Sequence, residues 1–143
     1  MILNEADAKR LLEKVIKFSA ADSVLLNMRG TDRYNLRFAV NSVTTNGFSD
    51  SLTLSVSSIF GRKTGTASTN KFDDESLKAV VMKSEQIARL SPDSKEFMPP
   101  LGPQTYSNAN NYNSDTENLN SEKRAAFVSY IIDECIKKDV TTA

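Results

Sequence analysis

Few residues in this sequence are equipped for chemistry, and the shortage narrows the options. There is no histidine and only one cysteine, Cys135. Without histidine no Ser-His or Cys-His nucleophile pair can form. With a single cysteine, an intramolecular disulfide is impossible, as is a zinc site drawing on two or more Cys or His ligands. Carboxylates, guanidinium groups and amides remain. Asp73-Asp74-Glu75 is a dense carboxylate cluster suited in principle to metal or acid–base work, but a helix start asks for the same residues as cap and dipole partners. Cys135 falls on the apolar stripe of an expected helix with no base at hand, which describes a small core residue. Gly61 and Gly65 lack the following Gly-Lys-Ser/Thr of a phosphate loop and read as a turn and a strand residue. Arg37 and Asn41 are the candidate substrate-binding residues, a long donor and an amide on or beside a hairpin that could line a peptide-binding face. The plainer reading puts Arg37 on the wet face of a sheet and has Asn41 bonding backbone at a bend. The Ser/Thr rows over residues 51–58 form either a solvated face or a cover for an extended peptide added as a strand.

Charge excludes a further class. Eighteen basic residues balance eighteen acidic ones, whereas nucleic-acid binding draws on a basic excess that displaces counterions from phosphates. No apolar run approaches the ~20 residues of a membrane-spanning helix. The start, from Met1 to Asp7, lacks the basic and apolar regions of a secretory signal. A cytoplasmic protein without nucleic-acid or membrane partners is the expectation.

The elements that would position these residues follow from periodicity. Glu5 to Phe18 reads as a helix, with Leu11, Leu12, Val15 and Ile16 on one face and Asn4 as its cap. A strand-rich stretch from Asp22 to Thr69 follows. Ser23–Met28 is one expected strand, Gly30-Thr31-Asp32 a turn, and Tyr34–Val40 a second strand with Tyr34, Leu36, Phe38 and Val40 on one face. Ser42–Thr45 leads into Asn46-Gly47, the pair best suited to a type I′ hairpin turn. Ser51–Ser57 alternates Leu/Val inward with Ser/Thr outward. Residues 60–63 form the next turn, and Thr64–Thr69 the last strand. A second helix starts at Asp73, stapled by Phe72 and Leu77, and ends near Leu90 before Ser91-Pro92. All four prolines and an asparagine-rich run occupy residues 91–120, which reads as a linker. Ser121–Asp139 is a third helix with Ala125, Val128, Ile131, Ile132, Cys135 and Ile136 on its apolar face. A strand is expected to begin at Val140. The order helix, lysine, polar turn, strand faintly repeats that of residues 8–26. The predicted fold is α+β: four to five antiparallel strands packed by two helices, then a linker and a third helix that begins a second unit.

One stretch, Asn35-Leu36-Arg37-Phe38-Ala39-Val40-Asn41 running on to Gly47, resembles the first hairpin of the TldD/PmbA family, the "modulator of DNA gyrase" proteins. Gly61-Arg62-Lys63-Thr64-Gly65-Thr66-Ala67-Ser68-Thr69 is similar to the family's Gly-Arg-x-Gly-x-Ala-Ser-Thr strand. Ala88-Arg89-Leu90-Ser91-Pro92 resembles its helix end, and Pro99-Pro100-Leu101-Gly102-Pro103 its proline-rich exit. Each segment alone is turn chemistry and amphipathic pattern; their order over residues 8–106 carries the resemblance.

The resemblance implies an N-terminal domain over residues 1–106, a polar linker over 107–120, and the start of a second domain over 121–143. It implies a longer parent whose TldD-type members carry a His-Glu-x-x-x-His zinc motif for peptide hydrolysis, while PmbA-type members lack the motif and act as partners. No catalytic or metal residue carries over to a sequence without histidine. The expectation is a scaffold, subunit-contact or substrate-channel domain of a proteolytic complex, not catalytic by itself and without its own cofactor, zinc belonging to a TldD-type parent. Its expected partners are the rest of its own chain, a like or unlike family subunit, and a peptide substrate. The alternative is a stand-alone protein- or peptide-binding module.

Overall fold

In the computed structural model, which describes residues 2–107 and 109–142, the element order is α1 (Glu5–Ile16), β1 (Ser23–Ala39), β2 (Ser42–Phe60), β3 (Lys63–Thr69), α2 (Asp74–Leu90), α3 (Ser114–Glu117) and α4 (Ser121–Lys137). Met1, Asn108 in the asparagine-rich run and Ala143 at the end of the expected last strand lie outside the described residues. The fold is α+β with an antiparallel sheet of three strands ordered β1-β2-β3.

The count is lower than the predicted four to five because two expected turns are strand. Gly30-Thr31-Asp32 lies within β1 and Asn46-Gly47 within β2. The hairpin turns instead at Val40-Asn41, with φ of 52° and 53°. Two successive positive φ values are the type I′ requirement that Asn-Gly was expected to meet. A turn at 40–41 lets residues 42–60 run back along the whole of β1, whereas a turn at 46–47 would leave the first part of β1 beyond the reach of β2. Gly47 serves another purpose, since the Asn35 Oδ1 atom lies 2.8 Å from where a Cβ would sit.

The chain forms two compact units, one of Met1–Asp32 with Asp50–Gln104 and one of Arg33–Ser49 with Thr105–Ala143. The first holds the main core. Val15 of α1, Leu54 and Val56 of β2, Ala67 of β3 and Leu77, Val80 and Val81 of α2 form one buried cluster, with Leu11, Leu12, Phe18, Val24, Leu26, Met28 and Phe72 packed against it. Both helices start with the caps read from sequence: Asn4 accepts from Asp7 N and Asp73 from Ser76 N. Phe72 joins the core and Leu77 is 1% exposed, so the two flank the start of α2 as a hydrophobic staple does.

Two features knit this unit together, one polar and one steric. Ser58 and Ser84 are fully buried and hydrogen-bond each other at 2.7 Å, and the Ser84 hydroxyl also donates to Val81 O at 2.8 Å, so both are satisfied. Gly65 is the close-approach point of β3 and α2, where a Cβ would lie 2.2 Å from Ala88 N and 2.3 Å from Ser84 O. The loops are tied as well. Glu85 accepts from Ser19 Oγ and Ala20 N, Asp22 accepts from Gly61 N, and Arg62 donates to the carbonyls of Ser94 and Lys95. Gly61 supplies the positive φ (58°) of the β2–β3 turn.

Candidate functional site

The outward face of the first unit is rich in hydroxyls. Ser55 pairs with Ser68 at 2.9 Å and Ser57 with Thr66 at 2.7 Å across β2 and β3, in the register Ser55↔Ser68 and Ser57↔Thr66. The expectation that residues 51–58 could receive an extended peptide as an added strand is corrected by the topology. β2 is the central strand of the sheet and is paired with β3 from Leu54 onward, so from there the Ser/Thr row is a face and not an edge. On the helical side, an open cleft of about 620 Å³ is lined by Leu3, Asp7, Arg10, Leu11, Glu13, Lys14, Lys17, Phe72 and Leu77. Lys14 at its rim forms an ion pair with Asp74. Asp74 is thus an ion-pair partner, while Asp73 is a cap. The backbone N–H of Ser76 holds the Asp73 carboxyl below its ordinary value of 3.8. Among the described residues no group of three or more His, Cys, Asp or Glu side chains is placed to hold a metal ion.

The second unit carries both sequence-nominated residues. Arg37 is exposed on β1, and its backbone carbonyl accepts a hydrogen bond from Thr44 Oγ1 at 3.2 Å. Asn41 is committed within the unit. Its N–H donates to Thr142 Oγ1 (2.9 Å), its Nδ2 to Val140 O (3.0 Å), and its Oδ1 accepts from Thr142 N (2.9 Å). Val40 N adds a bond to Thr142 O at 2.9 Å. Residues 140–142, expected to begin a strand, instead lack regular secondary structure and are fastened to the hairpin turn. Arg37 and Asn41 therefore do not converge on one pocket. One faces solvent and the other holds backbone.

The asparagine-rich run is more structured than its composition suggests, because several asparagines cap helices. Asn113 Oδ1 accepts from Asp115 N and Thr116 N at the start of α3, Asn118 Nδ2 donates to Ser114 O, and Asn120 Oδ1 accepts from Lys123 N at the start of α4. Asn side chains compete for backbone in this way more readily than they fill a helix interior.

The stripe expected to form the apolar face of α4 is only partly covered. Val128 is buried, Ile132 and Cys135 are half-buried, and Ile131 and Ile136 are 42% and 58% exposed. The sequence reading passed over the aromatic residues beside that stripe. Phe127 and Tyr130 are 64% and 68% exposed and wall an open groove of about 760 Å³ with Asp115, Leu119, Lys123 and Ala126. Arg124 lies on the covered side. Its guanidinium stacks 4.6 Å over the Tyr34 ring, and its NH groups reach Leu119 O and Ser121 Oγ. Tyr34 in turn stacks on Phe48 at 4.7 Å. The three-residue spacing of Phe127 and Tyr130 was the available signal, since on a helix it places both on one face. No described helix is long and apolar enough to cross a membrane.

Residues 28–88, which include Arg37, Asn41, Gly61, Gly65 and nearly all of α2, match the profile of PmbA/TldA metallopeptidase domain 1. Over that stretch the chain is similar to the first domain of the TldD/PmbA family. Solved structures share its fold. TldE from Thermococcus kodakarensis superposes with a TM-score of 0.77 at 15% identity, covering 92% of this chain and 29% of that one. A proposed modulator of DNA gyrase from Bacteroides thetaiotaomicron gives 0.73 at 13% identity, covering 94% of this chain and 31% of that one. Another, from Thermotoga maritima, gives 0.63 at 16%, with 87% and 27% covered. At these identities the likeness is one of fold, and the chain spans less than a third of each of those chains. No curated protein matches it.

Proposed function

We propose that this TldD/PmbA-type domain works as a non-catalytic part of a proteolytic assembly, and that subunit contact is its main task. The observation that carries the reading is the α4 surface. Two aromatic side chains, each about two-thirds exposed and set beside an open groove, are what contact surfaces present and what an isolated fold leaves covered. Scaffold and substrate-channel roles are compatible with the same placement. In this reading residues 1–106 form the family's first domain, 107–120 a linker, and 121–143 belong to a second domain. Exposed Arg37 is the residue available to a passing peptide, and Asn41 supports the hairpin beneath it. Peptide hydrolysis and zinc belong to a TldD-type chain, the parent or a cytoplasmic partner subunit. The sequence itself has no histidine with which to build the family's His-Glu-x-x-x-His site.

The test is to purify the chain and assay peptide hydrolysis with and without added zinc, then to mix it with a zinc-bearing TldD-type subunit and measure the mass by light scattering. The expected result is no hydrolysis by the chain alone and a complex on mixing that weakens with Phe127→Ala. Hydrolysis by the chain alone, abolished by a chelator, would overturn the proposal, as would failure to associate with any family subunit or with itself. The hydroxyl face formed by Ser55, Ser57, Thr66 and Ser68 favours a second reading, a stand-alone peptide-binding module. Saturable binding of an extended peptide by the monomer would establish that reading instead.

A further inference from the structure

Among the described residues, the non-glycine residues with positive φ are Val40, Asn41 and Asp139, at 52°, 53° and 54°. Asn41 and Val140 are 99 positions apart in sequence, yet the three strained residues meet at one junction. A left-handed backbone is unfavourable for any residue with a Cβ, most of all for β-branched valine. It persists only where the surroundings over-determine it. Here they do. Asp139 turns the chain out of α4 in a Schellman ending: its N–H donates to Ile136 O at 3.1 Å, and the Val140 N–H donates to Cys135 O at 2.9 Å. That turn sends residues 140–142 onto the hairpin, where Val140 and Thr142 take up the Val40 N–H and the N–H, Nδ2 and Oδ1 of Asn41. We propose that this junction is a strained clasp. Closed, it holds α4 along the hairpin; released, it lets the second unit open as a whole while the first stays folded.

The rest of the second unit is thinly held. Val128 is its one buried residue among those described, whereas the first unit buries Val15, Leu54, Val56, Leu77, Val80 and Val81. Opening a unit that covers so little apolar surface costs far less than unfolding one with a full core. The fastenings of α4 lie at its two ends. At its start the Arg124 guanidinium stacks on Tyr34; past its end, residues 140–142 grip Val40 and Asn41. The two spans agree in length. From Tyr34 to Val40 the extended chain covers about 20 Å at ~3.3 Å per residue. From Arg124 to Lys137 α4 covers about 20 Å at ~1.5 Å per residue. Tyr34 is 52% exposed, and a cation–π contact so open to water is weak. The clasp therefore carries the larger share. Its strain makes the two states distinct: once the bonds break, Val40, Asn41 and Asp139 relax to negative φ, and reclosing must restore all three together. The clasp is internal to the chain and independent of the subunit-contact reading.

The experiment is native-state hydrogen exchange, read by NMR on the 143-residue chain, comparing the amides of α4 and of residues 42–49 with those of α2. In the wild type the α4 and hairpin amides are expected to share one opening equilibrium, more populated than the opening that exposes Val80 and Val81. Asn41→Gly removes the two side-chain hydrogen bonds to residues 140 and 142 and leaves positive φ easy. Protection across α4 should fall by about tenfold to a hundredfold, with α2 unchanged. Thr142→Val keeps the shape but loses the hydroxyl that accepts from the Asn41 N–H, and protection should fall by about threefold to tenfold. Deleting residues 140–143 removes every partner of the Asn41 side chain, so Asn41→Gly added to the deletion should lower protection no further. A turn defect unrelated to the clasp would add to the deletion instead. Protection in α2 that falls in step with α4 overturns the separate opening. Protection in α4 that survives Asn41→Gly, or effects of Asn41→Gly and the deletion that simply add, overturns the clasp.

Discussion

Replacing Gly65 with alanine tests the central packing claim most directly. The added Cβ would lie 2.2 Å from Ala88 N and 2.3 Å from Ser84 O, with Ile87 C at 2.7 Å, where ordinary contacts run to about 3.5–4.0 Å. All three atoms are backbone, and Ser84 O and Ala88 N stand in the i, i+4 relation of a helical hydrogen bond. No rotamer change can clear them, so α2 must withdraw from β3 by roughly an ångström or more. That withdrawal strains the Ser58–Ser84 hydroxyl pair at 2.7 Å and loosens Val80, Val81 and Ala88 against the sheet. Overpacking a core costs about 1–3 kcal/mol, and a clash with immovable backbone belongs at the upper end, about 3 kcal/mol. At about 2–8 °C of Tm per kcal/mol over this size range, Tm should fall by about 10 °C. Urea unfolding should show the same loss as a lower midpoint with an unchanged slope. Gly102→Ala is the control, since no atom lies within 4 Å of its Cβ position, and its Tm should hold or rise slightly. A Gly65→Ala protein that melts within about 2 °C of wild type would refute the close approach of β3 and α2.

Two further outcomes follow from backbone geometry and capping. Val40 holds φ at 52° with a β-branched side chain that is 74% exposed. Val40→Asn therefore relieves strain without losing burial and should stabilise the protein by about 1 kcal/mol in urea unfolding; a destabilised variant would show that the valine packs. The Asp73 carboxyl, held below its ordinary 3.8 by the N–H of Ser76, is the depressed-pKa case. Its stabilisation is present above about pH 3.8 and is lost as pH falls through the lower folded value. Asn caps nearly as well but does not titrate, so the Tm advantage of wild type over Asp73→Asn should shrink as pH is taken from 5 to 2. A difference that stays constant with pH would mean that the charge of Asp73 contributes nothing.

The sequence by itself determined what could be decided by composition and by local preference. A chain without histidine cannot build histidine-dependent chemistry wherever its residues are placed. Asn4 and Asp73 read correctly as caps because the side chain and the N–H it satisfies are three residues apart. The alternation Leu52, Leu54, Val56 against Ser55 and Ser57 was legible because strand periodicity is fixed by the pleat. The order of turn-rich segments was enough to indicate the family.

Tertiary structure decided the rest, wherever two local options were close in energy. Asn46-Gly47 has the better turn chemistry, yet Val40-Asn41 makes the turn. The long strands pair along more of their length that way, and four hydrogen bonds from residues about a hundred positions away hold Asn41 and Val40 in place. Gly65 looked like a strand residue, and only the approach of α2 shows why nothing larger fits. Asn41 was nominated for ligand binding because an amide beside a hairpin has donors and acceptors to offer; folding spends them on residues 140–142. Phe127 and Tyr130 sit beside the apolar stripe of α4, and helical spacing alone does not say which side of a broad apolar helix the rest of the fold will cover.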